Sequence, residues 1–491
     1  MTKGRGNRLR RKKLFSLFML VVLLMTLIPV AGVSAKEDLL DTAKKRGELR
    51  VGLSADFAPF EFERNIDGKN EYAGIDIALI NKIGKDNGLK IRIVNMSFDS
   101  LLGAMKTGKI DMIASGMTPT PEREKQVDFS DNYMDVDQKV IVKKKDQAKY
   151  KSFADFKDKT VAVQKQTTQE ELAKKEIPDA SLTSLTRTPD VVMAVKTGKA
   201  EASIIDSIVG DAYLSQNKDL AYADLEFGDS KKETAVAIPK GNPKLLAAIN
   251  QSIKDAQDKG LIEEYQKQAN EDMFNDGTFL SKYGSYFLRG IGATILISIL
   301  GVVFGSLFGG IFAFMKLSTN KLLKAIAWVY IEFIRGTPLL VQVFLVYFGT
   351  TAVLGLDLSA FMCGAIALIL NCGAYIAEII RAGIKAVDKG QMEAARSLGL
   401  SHAQAMNKVI MPQAIKNILP ALGNEFITVI KESSIVSVIG VSELMFNAQV
   451  VQGASFDPFT PLVIAAIVYF VLTFVLSRVM NLVERRMSVS D

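Results

Sequence analysis

The feature that most constrains this 491-residue chain is a change of solvent part-way along it. Up to about residue 275 the sequence is rich in Lys, Asp and Glu. Beyond it come apolar segments at about 289–315, 338–356, 360–380, 422–447 and 461–482. Each is long enough to cross the ~30 Å hydrocarbon core of a bilayer as a helix. Lipid offers no water to an open backbone, so such segments must fold as helices. The sequence therefore reads as a water-soluble α/β half followed by an all-α transmembrane half of five helices.

The N-terminus sets the orientation. Seven basic residues lie between Lys3 and Lys13, followed by an apolar run from Leu14 to Val30 and the small residues Val33-Ser34-Ala35. This is a secretory signal pattern over 1–35, which places residue 36 onward outside; an uncleaved first membrane helix is the alternative. No Cys stands near Ala35 to carry a lipid anchor. Counting spans inward from there, the inside loops carry Lys316, Lys321, Lys324, Arg381, Lys385, Lys389, Arg396, Lys408 and Lys416. The outside loops near 357 and 455 carry no Lys or Arg, as the positive-inside bias requires. The net charge of +7 then has a membrane origin and does not call for nucleic acid.

Catalysis and metal binding find little support. Cys363 and Cys372 share one apolar segment with no His or acidic cluster beside them, which reads as packing and not as a disulfide or zinc site. The single histidine, His402, has no second ligand and no nucleophile nearby. No catalytic residues and no metal ligands are assigned, and the sequence does not read as an enzyme.

In the soluble half, short apolar runs alternate with helical stretches. Leu49–Leu53 reads as a strand, 75–87 as a helix, Lys90–Val94 as a strand, 100–107 as a helix and Ile110–Ala114 as a strand, and the alternation restarts at Thr160–Val163. This predicts mostly parallel sheets in two lobes, with ligand sites at the carboxyl ends of strands.

Several stretches resemble the polar amino-acid binding proteins of ABC importers: 55–62 (ADFAPFEF), 74–76 (GID), 115–118 (SGMT) through Glu122-Arg123, 127–130 (VDFS) and the segment ending in Asp206. The resemblance implies a two-lobed fold joined by two crossing strands, lobe one at about 45–135, lobe two at about 138–229, and a return to lobe one. An amino acid sealed from water needs partners for both its charges. Arg123 suits the carboxylate, since a guanidinium makes two parallel bonds that a lysine cannot. Thr118 and the backbone at Ser115 and Gly116 would add neutral partners. By resemblance Asp206 takes the ammonium, Phe57 and Phe98 flank the ligand, and Gln164, Thr167 and Thr168 belong to the second lobe's binding loop, where Gln166 replaces the usual glycine. Ser54 stands where several relatives have aspartate, and Glu61 either compensates for that loss or faces solvent. A glutamine-like ligand fits best, with basic amino acids such as arginine or histidine next.

In the apolar half, Gly301, Gly305 and Gly309 recur every fourth residue, a face on which another helix can pack closely. The inside loop 391–399 (QMEAARSLG), continuing to Ile410-Met411-Pro412, resembles the coupling loop of ABC importer permeases, as do 335–340 (RGTPLL) and 374–378 (AYIAE). The resemblance implies that Glu393, Ala394, Ala395, Gly399 and Pro412 build two short helices docking on a cytosolic ATPase. The local reading has Gly399 ending one helix and Pro412 breaking or bending a second that runs from about Ser401 to Ile410. No Gly-x-x-x-x-Gly-Lys-Ser/Thr loop is present, so ATP and Mg belong to a partner ATPase chain and this chain carries no cofactor.

The expected organisation is a signal peptide at 1–35, an extracellular binding domain at 36–275, a linker at 276–287 and a permease domain at 288–491 with its coupling loop at about 388–420. The expected role is ATP-driven import of a polar amino acid as a fused receptor and permease in a bacterial cell membrane. The expected partners are an ABC ATPase, a second copy in a homodimer, the amino acid and membrane lipid. The rivals are a glutamate-receptor-like ligand-gated channel and an amino-acid-sensing receptor. The first is disfavoured by an uninterrupted second lobe, the second by the absence of an output module after the last span.

Overall fold

A computed structural model describes residues 37–66, 69–228, 230–273 and 278–488. The expected signal segment 1–35 lies outside the described residues.

The soluble half is two α/β lobes. Its strands are β1 (Glu48–Leu53), β2 (Asp56–Phe57), β3 (Glu61–Ile66), β4 (Lys69–Ala73), β5 (Lys90–Asn95), β6 (Met112–Ile113), β7 (Val127–Phe129), β8 (Met134–Lys143), β9 (Thr160–Gln164), β10 (Ser181–Leu185), β11 (Ala202–Asp206), β12 (Leu220–Tyr222), β13 (Lys231–Thr234) and β14 (Ala237–Pro239). Lobe one orders them β5-β1-β6-β14-β7, and lobe two β10-β9-β11-β8-β12. The pairs β1–β5, β1–β6, β9–β10 and β9–β11 are parallel, as the strand and helix alternation predicts. β1 is buried along almost its whole length because sheet neighbours and helices cover it; Leu49, Val51 and Leu53 pack on Leu79, Ile80 and Ile83 of the helix Ile75–Asn87. Each such side chain is worth about 1.5–3 kcal/mol when fully buried.

Two strands cross between the lobes. β8 and β13 run antiparallel, Met134 opposite Thr234 and Asp137 opposite Lys231. β8 then continues into the sheet of lobe two, pairing with β11, while β14 returns the chain to lobe one. Alternation along β13 buries Lys232 and Thr234 and exposes Lys231 and Glu233. That parity brings Lys232 to the interlobe cleft.

The apolar half differs in part from the five simple spans read from the sequence. Its helices are α1 (Phe279–Leu317), α2 (Lys321–Arg335), α3 (Leu339–Ala352), α4 (Ala360–Lys385), α5 (Lys389–Ser397), α6 (His402–Ala405), α7 (Met411–Glu432), α8 (Leu444–Ser455) and α9 (Thr460–Ser488). Three, α1, α4 and α9, are unbroken helices long and apolar enough to cross a bilayer. The count reaches five only if two bent pairs each serve as one span: α2 with α3, bent by 109°, and the helix His402–Ile439 with α8, bent by 50°. The segment 338–356 is thus not a complete span. Its helix α3 has 14 residues, about 21 Å at 1.5 Å per residue, and Pro338 forces the chain out of the helical region just before it. The segment 422–447 likewise breaks after Glu432 into a tight 3₁₀ turn ending at Gly440.

Residues 279–287, expected within the linker, are already helical: α1 starts at Phe279, where the Thr278 side chain accepts from the Ser281 amide. The glycine face of α1 packs on α4 as its spacing predicts. A Cβ on Gly309 would lie 2.7 Å from the Gly373 carbonyl oxygen, and one on Gly305 3.0 Å from Cys372 Cβ. Glu378 pairs with Lys316 and with Arg381, whose Nε lies 2.8 Å from Oε2.

Candidate functional site

The lobes meet over a cleft holding about 330 Å³ of empty space, mouth included. At one end stands Arg123, on the short helix Pro121–Glu124, which Thr120 caps by accepting from the Arg123 amide. Its Nη1 donates to the Thr118 carbonyl at 2.7 Å and its Nη2 to the Gln166 carbonyl of the other lobe at 2.8 Å, with the guanidinium over the Phe98 ring. Gln166 can turn that carbonyl inward because its φ is +62°, a left-handed conformation that glycine adopts at no cost. Arg123 is 7% exposed, and no carboxylate lies within ion-pair distance of it among the described residues. Burial pulls its pKa below the ordinary value, opposed only by the distant charge of Glu171. Beside it the Thr118 hydroxyl is buried without a hydrogen-bond partner. Thr167 and Thr168, at the N-terminus of the helix Thr168–Glu176, follow Gln166 along the same lining, where the helix dipole is positive. This end thus combines a buried cation with an unbonded hydroxyl.

Opposite it the cavity is bounded by Lys232 and Gln169. Asp206 stands behind them, fully buried: Gln169 Nε2 donates to Oδ1 at 2.6 Å, and the Lys232 ammonium pairs with Oδ2. Lys232 also lies over the Phe57 ring, 5.8 Å from its centroid. The third region holds Asp56, whose Oδ1 accepts from the Ser54 hydroxyl at 2.7 Å and whose Oδ2 accepts from Arg187 Nε at 2.6 Å.

Most residues expected from the sequence meet here. Ser54, Phe57, Phe98, Ser115, Gly116, Thr118, Arg123, Gln164, Thr167 and Thr168 all line the cavity. Asp206 and Glu61 do not. Two neutral partners are also already committed, since the Gly116 amide donates to Asp76 Oδ2 at 2.8 Å and the Ser115 hydroxyl donates to Glu61. Gly116 has φ +50°, and a Cβ there would lie 2.9 Å from the Phe57 ring, so its role is close packing under the aromatic wall. Glu61 neither faces solvent nor reaches the cavity. Its Oε2 is buried with no hydrogen-bond partner, and the Asp76 carboxylate acts on it electrostatically. Burial and the charge of Asp76 hold the Glu61 pKa well above its usual range. Burial also raises Asp76 to about 6, although the Tyr133 hydroxyl, donating at 2.6 Å, and the Gly116 amide pull it back.

The sequence reading missed Asp56, Gln169, Lys232 and Arg187. Asp56 carried a signal, because it sits two residues from Ser54 inside a recognised motif. Lys232 carried none, since a crossing strand brings it from 26 residues beyond Asp206.

The cleft reaches the membrane half. Arg187, beyond Asp56, donates from Nη1 to Gln449 Oε1 of α8 at 2.6 Å. The C-terminal end of α8 touches both lobes: a Cβ on Gly453 would lie 2.7 Å from Asp56 Cα, and the carbonyl of the capping Phe456 accepts from Asn217 Nδ2 at 3.0 Å while its ring packs edge-on to Tyr213. Asp357, before α4, meets Arg50 at 3.3 Å and Arg92 at 3.7 Å, and Lys109 donates to the neighbouring Leu358 carbonyl at 3.0 Å.

At the far end of the spans, Glu393 and Ala394 are exposed on α5, Ala395 is buried, and Gly399 ends the helix with φ +86°. Leu398 beside it is 84% exposed, a large apolar side chain left without cover. Pro412 does not break the following helix. A π turn over Met406–Ile410 leads directly into α7, whose first turn accepts a residue lacking an N–H.

Residues 49–271 match the model of bacterial extracellular solute-binding proteins, family 3, and residues 301–489 that of the binding-protein-dependent transport system inner membrane component. A putative glutamine transport system permease protein, GlnP, of Rickettsia conorii (strain ATCC VR-613 / Malish 7) is 42% identical over 205 residues, 42% of this chain and 94% of that protein. The chain belongs to this permease family. The arginine transport system permease protein ArtQ of Bacillus subtilis (strain 168) is 41% identical over 206 residues, again 42% of this chain and 94% of that protein. Among solved structures, the amino acid ABC transporter substrate-binding protein AbpA from Streptococcus pneumoniae Canada MDR_19A, bound to L-arginine, is 35% identical and covers 48% of this chain and 100% of its own, at a TM-score of 0.47. As a binding-protein-dependent transport permease, the chain is a multi-pass membrane protein and works with a separate ATPase. It also carries its own solute-binding domain.

Proposed function

We propose that this permease imports a polar α-amino acid, with glutamine the best fit and arginine or histidine next, acting as receptor and pore in one polypeptide. The observation that carries the reading is Arg123, a buried guanidinium with no carboxylate paired to it among the described residues, beside an unbonded Thr118 hydroxyl at the end of an interlobe cleft. A ligand carboxylate supplies both with what they lack. At the side-chain end the Asp56 carboxylate is already neutralised by Arg187, which favours an uncharged amide that both donates and accepts over a second cation. The permeases named for glutamine and arginine agree with that range.

In the working assembly two copies pair about the translocation path, lipid covers the remaining apolar faces, and each α5 docks on an ATPase that holds ATP and Mg. Glu393, Ala394, Ala395, Gly399 and Pro412 shape the docking loop, and the exposed Leu398 enters the ATPase groove. The test is a thermal-shift screen of the full chain in lipid nanodiscs against the twenty amino acids. A ligand at a hundredfold its dissociation constant adds about 2.7 kcal/mol. L-Glutamine is expected to stabilise the wild type and to leave Arg123→Ala unmoved; a wild type that responds to none of the twenty overturns the reading.

A further inference from the structure

The most unexpected side chain in the cleft is Lys232. Asp206 offers two carboxylate oxygens, and neither is open: Gln169 holds one and the Lys232 ammonium the other. The Lys232 charge lies between the Asp206 carboxylate and the face of Phe57, a seat made for an ammonium. It also ties together the lobes, since Phe57 stands in lobe one and Asp206 in lobe two. Arg123 does the same at the other end by reaching the Gln166 carbonyl. Two cations therefore bridge the lobes across the cleft.

We infer that Lys232 is a built-in stand-in for the ligand's ammonium, seated on Asp206 when the cleft is empty and displaced from it by an α-amino acid. This rests on the amino-acid reading above and adds a residue that tunes affinity and specificity. A lysine can leave such a seat because its charge sits on a flexible four-carbon stem. Two effects follow. The stand-in lowers affinity, because a ligand meets a free seat only in the fraction of molecules where Lys232 has moved away. It also blurs recognition of the ammonium, because an acid lacking the amino group leaves Lys232 in place and Asp206 satisfied.

The experiment uses the full chain in nanodiscs. Calorimetric titration compares L-glutamine with its des-amino analogue, glutaramic acid, and L-arginine with 5-guanidinopentanoic acid. A site built to bond an amino group normally rejects the analogue lacking it by about 10⁴-fold or more. Here the wild type is expected to lose less than about tenfold. Lys232→Met is expected to bind the amino acids at least about tenfold more tightly, the tax of a seat free less than about a tenth of the time, and to recover strong rejection of the des-amino acids. A wild type that rejects them 10⁴-fold, or a Lys232→Met chain that loses amino-acid binding, overturns the inference. A second measurement needs no ligand. Dyes on Lys85→Cys and Lys157→Cys, both exposed, report the distance between lobes, and the native cysteines are buried. The unliganded wild type is expected to stay closed and Lys232→Met to open. Equal closure in both refutes the stand-in, whichever solute the receptor takes, so this arm separates its failure from that of the amino-acid reading.

Discussion

Removing Arg187 tests how the cleft sets its specificity. The Asp56 side chain is 1% exposed and that of Arg187 10%, with 2.6 Å between Nε and Oδ2. Deleting one member of such a pair costs about 3–5 kcal/mol, because the survivor is left charged and buried. Asp56 keeps its bond from the Ser54 hydroxyl, so the lower end of that range applies to Arg187→Met. The lone carboxylate then faces the cavity, where a cationic ligand side chain can replace the lost guanidinium and an amide cannot. About 3 kcal/mol corresponds to roughly a hundredfold at 1.4 kcal/mol per decade. The affinity ratio of L-arginine to L-glutamine is expected to rise by about that factor in Arg187→Met, read by calorimetry on the full chain. The double variant with Asp56→Asn removes the stranded charge and is expected to return the ratio to near the wild-type value. A ratio unchanged within about threefold in Arg187→Met, or a shift that survives Asp56→Asn, refutes the argument.

Other outcomes can be read from the same contacts. Arg123→Lys keeps the charge but loses the two parallel bonds, and a drop in ligand affinity of at least about tenfold is expected by calorimetry. Glu393→Lys reverses an exposed charge on the docking helix; ligand affinity should stay the same while ligand-stimulated ATP hydrolysis by the reconstituted partner is lost. Asp76 has a pKa raised from 3.8 to about 6 on folding, so the folded chain holds a proton the unfolded chain has released between those values. Stability therefore falls as pH rises from about 4 to about 6, by about 1.4 kcal/mol for each pH step of one across that window, and the raised Glu61 extends the fall upward. Glu61→Gln removes one of the two carboxyl groups, and its melting temperature should depend less on pH between 5 and 8; an unchanged slope contradicts the raised Glu61. Gly309→Leu has no room against the Gly373 carbonyl and should separate α1 from α4, seen as loss of folded protein in detergent while Gly292→Leu, with nothing near its Cβ, is tolerated.

What could be read from the sequence was whatever local pattern carries. The alternation of β1, the helix Ile75–Asn87 and β5 is set by burial period, and the glycine face of α1 by its four-residue spacing, so both were legible. Arg123 and Thr118 sit in one short motif and were found together. The helix breaks were less visible, because hydropathy measures apolar length and not direction. Pro338 turns α2 against α3 within an apolar run, and the π turn at Met406–Ile410 lets Pro412 pass where a proline normally ends a helix. The hidden part of the site was the non-local part. Gln169 meets Asp206 within lobe two from 37 residues away, Lys232 arrives on β13, and Arg187 reaches Asp56 from the other lobe, so none of these meetings shows in a local pattern. Glu61 shows the reverse: an acid in a recognised motif that the fold places behind the wall of the cavity.

Fusing receptor to pore changes what docking must accomplish. A short tether holds the binding domain at an effective concentration of order millimolar, so the interface needs to select a state and not to capture a partner. Its contacts suit that task. The ionic ones, Asp357 with Arg50 and Arg92, involve lobe one alone and survive any movement of lobe two. The C-terminal end of α8 is different, since Gly453 lies against Asp56 of lobe one while Phe456 is held by Asn217 and Tyr213 of lobe two. Opening the cleft must break one of those two sets. Arg187 makes the same demand from inside, because its guanidinium bonds Asp56 across the cleft and Gln449 in the membrane half at once. The permease thus meets the closed cleft through the residue that pairs with Asp56 of its lining, and closure and docking share one set of hydrogen bonds.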